Sequence, residues 1–236
     1  MLERIDVLDK GYVRLVDHMG TDASIINSAR VSFDKECTPN EDGSLAERDQ
    51  RLMAYLVRNN EFSVFRQATL QFEMYMPLMV ARQYWKYIVA ASHIDDGTCM
   101  NETSRRYITE EPTFYIPELD QWRAAPENSK QGSSDPIDPR IGQIVTEELM
   151  GYIETGIAQY NYWMEVGVCA EQARLFLPAY GMYVRVRTTM SLAALIHLLK
   201  ERLGHGAQLE FQKYAEALRD LTQPVFPVTF KIIFGG

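Results

Sequence analysis

The spacing of hydrophobic and polar positions along the chain predicts strands mixed with helices. Apolar and charged positions alternate between residues 5 and 16, on either side of Lys10-Gly11, so two short strands are expected there. Residues 182–190 (MYVRVRTTM) predict another strand. Residues 69–76 (TLQFEMYM) also alternate, and they place four apolar side chains on one face: Leu70, Phe72, Met74 and Met76.

Helical spacing dominates the rest of the chain. Pro77 is expected to end a strand and open a helix, and Pro224 and Pro227 are expected to close the helical part. A segment rich in Pro, Ser, Gly and Asn, residues 123–140, predicts a surface loop within one domain spanning residues 1–236. The predicted helices cover residues 22–33, 45–58, 77–92, 141–166, 170–178, 191–202 and 207–221. The fold class that follows is α+β, with a mixed or antiparallel sheet flanked by helices.

Composition narrows the classes of protein that fit this pattern. The 236 residues are 46% hydrophobic, which is enough apolar side chain to exclude disorder for most of the chain. Lys and Arg total 24 against 32 Asp and Glu, and the net charge of -8 argues against a nucleic-acid coat. No run of apolar residues predicts a membrane span, and no signal peptide is expected. Three widely spaced cysteines, Cys37, Cys99 and Cys169, indicate a reducing, cytoplasmic setting.

Two polar features could carry chemistry. Arg82, Gln83 and Lys86 lie on one side of a predicted helix that is otherwise apolar, and such a stripe needs a reason. Residues 101–107 (NETSRRY) combine a carboxylate, two hydroxyls and two guanidinium groups, which suits a phosphate or carboxylate ligand. A solvated turn with a Glu–Arg pair is the alternative interpretation of this segment.

Other basic residues also allow two interpretations. Arg174 lies in an apolar run and needs either a carboxylate partner or an anionic ligand. Arg202 precedes a turn with two glycines. The glycines either let a ligand come close to the backbone or simply form the turn between two helices. His197 and His205 have no third ligand at zinc spacing, so structural roles are favoured and no metal site is predicted. The residues alone therefore indicate an anion-binding, enzyme-like protein and leave its reaction open.

Several motifs together resemble the flavin-dependent thymidylate synthases. The opening residues 5–36, the helix motif VARQYWKYIVA, the segments NETSRRY and QARLFLP, and a pattern from Arg202 to Glu210 follow in that family's order. The resemblance implies reductive methylation of dUMP to dTMP. It also implies FAD as cofactor, NADPH as reductant, methylenetetrahydrofolate as carbon donor, and a homotetramer with shared sites.

The resemblance also implies roles for individual residues. Arg202 matches the arginine that polarises the pyrimidine ring, and it is the predicted catalytic residue. Positions that bind dUMP fall on Gln83, Lys86, Glu102, Thr103, Ser104, Arg105, Arg106, Arg174 and Arg202. Positions that contact FAD fall on Ser63, Lys86, Tyr87, Ile88, Glu102, Ser191 and His197.

The chain departs from the family pattern in the helix motif. Lys86-Tyr87-Ile88 stands where the family has Arg-His-Arg, and Ser191 and Ala193 stand where it has a flavin-contacting Asn and Arg. Replacement contacts are expected from Arg66, Arg185 or Arg187. Three hypotheses follow: a dTMP-forming enzyme, a non-catalytic nucleotide-binding relative, and an RNA-binding module, which the acidic net charge disfavours.

Overall fold

A computed structural model describes residues 3–31, 35–90, 99–104, 110–127, 132–204 and 206–235, with the backbone alone at 88–90. Its centre is a five-stranded antiparallel sheet in the order β1-β2-β3-β5-β4. The predicted α+β class is thus confirmed, with a sheet that is antiparallel throughout its described strands. The strands are β1 (Arg4–Val7), β2 (Gly11–Met19), β3 (Thr69–Pro77), β4 (Cys99–Glu102) and β5 (Tyr183–Ser191).

Eight α-helices are described around this sheet. The long α4 begins two residues before its predicted start, because Pro139 occupies its first turn and the Asp138 carboxylate accepts a hydrogen bond from the Arg140 backbone N–H at 2.8 Å. The helices are α1 (Asp22–Arg30), α2 (Glu47–Arg58), α3 (Leu78–Ala90), α4 (Pro139–Val166), α5 (Ala170–Ala173), α6 (Leu192–Arg202), α7 (Leu209–Thr222) and α8 (Pro227–Phe234).

The alternation in β3 sets the two faces of the sheet. Its four apolar side chains are fully buried and lie beside those of β5. On the opposite face, the Glu73 carboxylate accepts hydrogen bonds from the Tyr12 hydroxyl at 2.8 Å and from Arg14 at 2.9 Å. One face therefore holds the main core, packed with α6 and α7, and the other carries charged cross-strand pairs.

Two sequence predictions fail near proline and near a short strand. Pro227 does not close the helical part, because it occupies the first turn of α8, where the missing N–H costs nothing. The strand β4 is missing from the sequence prediction, although it begins at Cys99 and pairs with β5 at the sheet edge. Residues 93–98 lie outside the described residues.

The first and last helices of the fold meet at one buried carboxylate. Asp22 accepts hydrogen bonds from the Val228 N–H at 2.8 Å and from the Thr229 N–H at 3.1 Å. The Thr229 hydroxyl donates a third at 2.6 Å. Burial raises the pKa of Asp22, and these hydrogen bonds oppose that shift. A single side chain of α1 therefore satisfies the free N–H groups at the start of α8.

A buried charge cluster joins α1 to α2. Arg30 donates a hydrogen bond to Asp49, and their side chains are 9% and 3% exposed. The Cys37 thiol donates to the other oxygen of Asp49 at 3.2 Å. Burial, together with the neighbouring Asp49 carboxylate, raises the pKa of the Cys37 thiol to about 11. Cys37 is consequently a protonated thiol at neutral pH.

Gly11 allows a close approach between the β1–β2 hairpin and its neighbours. A Cβ at Gly11 would lie 2.7 Å from the backbone oxygens of both Tyr75 and Val7. We expect Gly11→Ala to lower the free energy of unfolding by about 1–3 kcal/mol, because backbone atoms have little room to move. Gly151→Ala in α4 is the control, with open space around its Cβ, and should raise stability by about 0.5–1 kcal/mol. Urea unfolding measures both, and equal stabilisation would contradict the prediction.

Within the described residues, no helix is both long enough and apolar enough to cross a membrane. The same part of the chain holds no group of three or more His, Cys, Asp or Glu side chains arranged to bind a metal ion.

Candidate active site

A cavity of about 420 Å³ lies between α3, the end of α6 and residues Gly132 and Ser133. Three cationic side chains reach it from separate parts of the chain, and no described lining residue is acidic. Converging cations favour an anionic ligand, even though the whole chain is acidic. The lining consists of Gln83, Lys86, Tyr87, Arg123, Gly132, Ser133, Arg202, Gly206 and Gln208.

Arg202 reaches this cavity because it is the last residue of α6. The Ser191 hydroxyl caps the start of that helix by accepting a hydrogen bond from the Ala194 N–H at 3.2 Å. The guanidinium carbon of Arg202 lies 3.7 Å from the centroid of the Tyr87 ring, and Nη2 donates to the Tyr87 hydroxyl. Phe211 contributes a second ring, 5.8 Å from the same carbon. The guanidinium is thus held by aromatic contacts.

Gln83 connects α3 to the residue before α7. Its side-chain amide donates a hydrogen bond to Gln208 Oε1, and Gln208 Nε2 lies 3.5 Å from the sulfur of Met79. Both amides belong to the cavity wall. The polar stripe on α3 is explained in part, because Gln83 and Lys86 face this cavity.

Arg123 forms a second part of the wall. It donates to Glu210 at 2.6 Å and to the Ser133 hydroxyl at 2.8 Å, and the Glu210 side chain is only 7% exposed. Arg123, Ser133 and Gln208 also line an adjoining cavity of about 320 Å³. That neighbour is mostly apolar, with walls that include Phe114, Trp122, Leu149, Ile153 and Pro178. A cationic compartment therefore lies beside an apolar one.

The predicted dUMP-binding residues are not all in one place. Gln83, Lys86 and Arg202 line the cationic cavity. Arg174 is exposed in a 3₁₀ turn, where its Nε donates to the Glu171 carbonyl at 3.1 Å, and it lies outside that lining. Arg105 and Arg106 lie outside the described residues. A single chain thus gathers part of the predicted set.

The described part of the NETSRRY segment, residues 101–104, lies at the sheet edge. The Thr103 hydroxyl accepts a hydrogen bond from the Arg185 N–H at 3.0 Å, and the Thr103 N–H donates to the Arg185 carbonyl at 2.9 Å. Burial raises the pKa of the Glu102 carboxyl, with Arg82 of α3 acting in the opposite direction. Ser104 follows at the end of the described stretch and also makes interactions. Glu102 and Thr103 lie outside the lining of the cationic cavity.

The predicted flavin positions fall on adjacent elements. Ser63 is exposed on the 3₁₀ helix Phe62–Gln67, which packs against α6, and His197 is half-buried on α6. Tyr87 lines the cationic cavity, whereas the side chain of Ile88 lies outside the described part. Ser191 is buried, and its hydroxyl caps α6. The flavin role of Ser191 stays a prediction.

The suggested replacement contacts lie on two elements. Arg185 and Arg187 are exposed on β5, on the charged face of the sheet. Arg66 belongs to the same 3₁₀ helix as Ser63.

Sequence reasoning missed Arg123, Ser133 and Phe211. Arg123 and Ser133 fall in the segment interpreted as a surface loop, and Phe211 resembles any core aromatic of α7. The one available signal was Arg123 directly after Trp122, a cation and a large aromatic in a segment otherwise rich in small and polar residues.

Comparisons with known proteins agree with the ordered motifs. A family model described as thymidylate synthase complementing protein matches residues 14–228. The chain belongs to this family. Among relatives, the flavin-dependent thymidylate synthase of Thermotoga neapolitana is 34% identical over 231 residues, 97% of this chain and 93% of the relative. That of Wolbachia pipientis wMel is 30% identical over 230 residues, 98% of this chain and 76% of the relative.

Solved structures give the same fold for this chain. The UMP/dUMP methylase PolB from Streptomyces cacaoi, solved with 5-Br dUMP, superimposes with a TM-score of 0.78. The match covers 97% of this chain and 96% of PolB at 23% identity. The complex of PolB with 5-Br UMP gives a TM-score of 0.79 at 22% identity. At such identities the agreement concerns the fold.

Proposed function

We propose that this chain is a flavin-dependent thymidylate synthase that converts dUMP to dTMP. The carbon comes from methylenetetrahydrofolate, and tetrahydrofolate leaves as the second product. FAD, once reduced by NADPH, supplies the electron pair that turns the transferred methylene into a methyl group. The observation that carries the proposal is Arg202 in a cationic cavity, at the position that matches the family's ring-polarising arginine.

The residues of the cavity fit an anionic nucleotide. Lys86 and Arg202 offer positive charge for a phosphate or for a pyrimidine ring that gains electron density. Gln83 offers an amide that can hydrogen-bond polar ring atoms. Arg123 is already neutralised by Glu210, so its part is to shape the wall. The protein contributes positioning and charge, while the redox step belongs to the cofactor.

The side chains near the cationic cavity are of the kinds that could bind FAD. Tyr87 and Lys86 of α3 line the cationic cavity. Ser63 offers an exposed hydroxyl on the 3₁₀ helix that packs against α6. We infer that these residues hold FAD together with residues brought by other subunits.

Flavin content and turnover test the proposal together. Purified protein should be yellow with an FAD spectrum, and it should release tritium from [5-³H]dUMP when NADPH and methylenetetrahydrofolate are both present. Omission of the folate is the control, since the tritium is displaced when the carbon is transferred. Protein that holds FAD and binds dUMP yet releases no tritium with both co-substrates would contradict the proposal.

A second candidate is a nucleotide-binding relative without turnover. It is favoured by Lys86-Tyr87-Ile88 in place of the family's Arg-His-Arg, because Lys86 keeps one charge but lacks the planar fork of arginine. This candidate predicts dUMP binding by calorimetry with neither bound FAD nor tritium release.

We also propose a homotetramer with shared sites, built from single-domain subunits spanning residues 1–236 in the cytoplasm. Two features support the assembly. The outer face of α4 carries apolar side chains, with Ile144 55% and Tyr152 61% exposed. Arg174 is exposed near Leu175 and Tyr180, away from the cavity lining, so a neighbouring copy would be needed to bring it to a nucleotide.

Sedimentation tests the assembly. The native chain should sediment as a tetramer, and the double substitution Ile144→Glu with Tyr152→Glu should yield smaller species with little tritium release. Arg51→Glu is the control, on an exposed face of α2. A monomeric native chain that turns over dUMP would contradict the assembly.

A further inference from the structure

The guanidinium of Arg202 lies over the ring of Tyr87 and near the ring of Phe211. Its carbon is 3.7 Å from the Tyr87 centroid and 5.8 Å from the Phe211 centroid. The two rings are 6.1 Å apart and inclined at 59°, so they form an open angle around the cation. A hydrogen bond from Arg202 Nη2 to the Tyr87 hydroxyl completes the arrangement. We call this set of three residues the aromatic clamp.

The clamp restrains a side chain that is otherwise flexible. A guanidinium cation is attracted to the face of an aromatic ring, and its N–H groups can still donate hydrogen bonds to nearby oxygens. An unrestrained arginine samples many rotamers, so fixing it in the one rotamer that contacts the substrate costs conformational entropy. A ring face together with a hydroxyl contact restricts both the tilt of the guanidinium and its rotation.

We propose that Tyr87 is a positioning residue for Arg202. The ring face holds the guanidinium carbon and the hydroxyl holds Nη2, so the side chain is restrained at two points. The inference rests on the proposed function, since it gives Arg202 a pyrimidine ring to polarise. It also assigns a purpose to a departure in this chain: Tyr87 stands at the middle position of the family's Arg-His-Arg motif, and its phenol reaches Arg202 through both ring and hydroxyl.

Steady-state kinetics with dUMP test this role. Tyr87→Leu should lower kcat about tenfold, a factor within the range of a desolvated cation–π contact, while KM for dUMP changes less than about twofold. Tyr87→Phe keeps the ring, so it should retain more of the kcat than Tyr87→Leu and guards against a folding defect in that variant. Tyr84→Phe is the matched control on α3, since its hydroxyl contacts Thr188 in the core.

A double-mutant cycle separates positioning from a general structural effect. If Tyr87 acts through Arg202, Tyr87→Leu should cause almost no further loss of kcat in an Arg202→Lys background. A merely structural tyrosine would give losses that multiply. Unchanged kcat in Tyr87→Leu, or multiplying losses in the double variant, would overturn the proposal.

Binding without turnover distinguishes this inference from the proposed function. Calorimetry with dUMP and with dCMP measures whether the protein recognises the uracil imide, which dCMP lacks. The preference for dUMP should fall by a similar factor in Tyr87→Leu and in Arg202→Lys, and persist in Tyr84→Phe. If the variants show this pattern and the native protein releases no tritium, the clamp is supported and the proposed activity is contradicted. If the preference for dUMP is unchanged in Tyr87→Leu, the proposed role of the clamp is contradicted.

Discussion

Arg202→Ala should lower kcat for dUMP methylation by about 10²–10³-fold, the loss seen when a group that stabilises charge in a transition state is removed. Its guanidinium lines the cationic cavity and is held in place by the rings of Tyr87 and Phe211. Alanine leaves the two rings but removes the charge that opposes negative charge on the pyrimidine. Tritium release from labelled dUMP under saturating co-substrates measures the effect.

Arg51→Ala is the matched control, because it removes one guanidinium from an exposed ion pair with Glu47 on α2. Its kcat should equal that of the native chain. Turnover of Arg202→Ala within about threefold of the control would show that the role transferred to Arg202 is wrong, since loss of a charge-stabilising donor costs far more.

Asp49→Ala should lower the free energy of unfolding by about 3–5 kcal/mol, because it leaves the Arg30 charge buried without its carboxylate partner. Both side chains are almost wholly buried, and the Cys37 thiol loses its acceptor in the same variant. The expected loss is a large share of the stability of a typical domain. Chemical denaturation followed by circular dichroism measures it.

Glu47→Ala on the same helix controls for the loss of one carboxylate. Glu47 is 82% exposed and pairs with Arg51 at 2.7 Å, so less than about 0.5 kcal/mol should be lost. Equal effects from the two substitutions would mean that the buried pair contributes no more than a surface pair.

Much of the fold could be predicted because its patterns are local. The alternation in residues 69–76 predicted β3 together with its buried face, and the switch to helical spacing after Pro77 predicted α3. β4 was missed because four residues, Cys99–Glu102, are too few to show a period, and its pairing with β5 is a tertiary contact. α8 was missed because a proline that opens a helix has the same local sequence signal as one that ends it.

The site was predictable where chemistry and motif coincide. Gln83, Lys86 and Arg202 were named from the sequence, and the structure places all three at one cavity. Arg123 was not, because its carboxylate partner Glu210 lies 87 positions away, and no local pattern links the two. The Tyr87–Arg202 contact was missed for the same reason, since 115 positions separate the residues.

The carboxylate of Asp22 has a consequence for how the chain comes apart. It lies near the beginning of the chain and holds the start of α8 near the end, across 206 positions. Fraying of either terminus beyond this point must break three hydrogen bonds at once and leave a buried carboxylate without donors. Opening of the C-terminal helix is therefore coupled to opening of the N-terminal one, and the two ends of the sequence share one cooperative unit of unfolding.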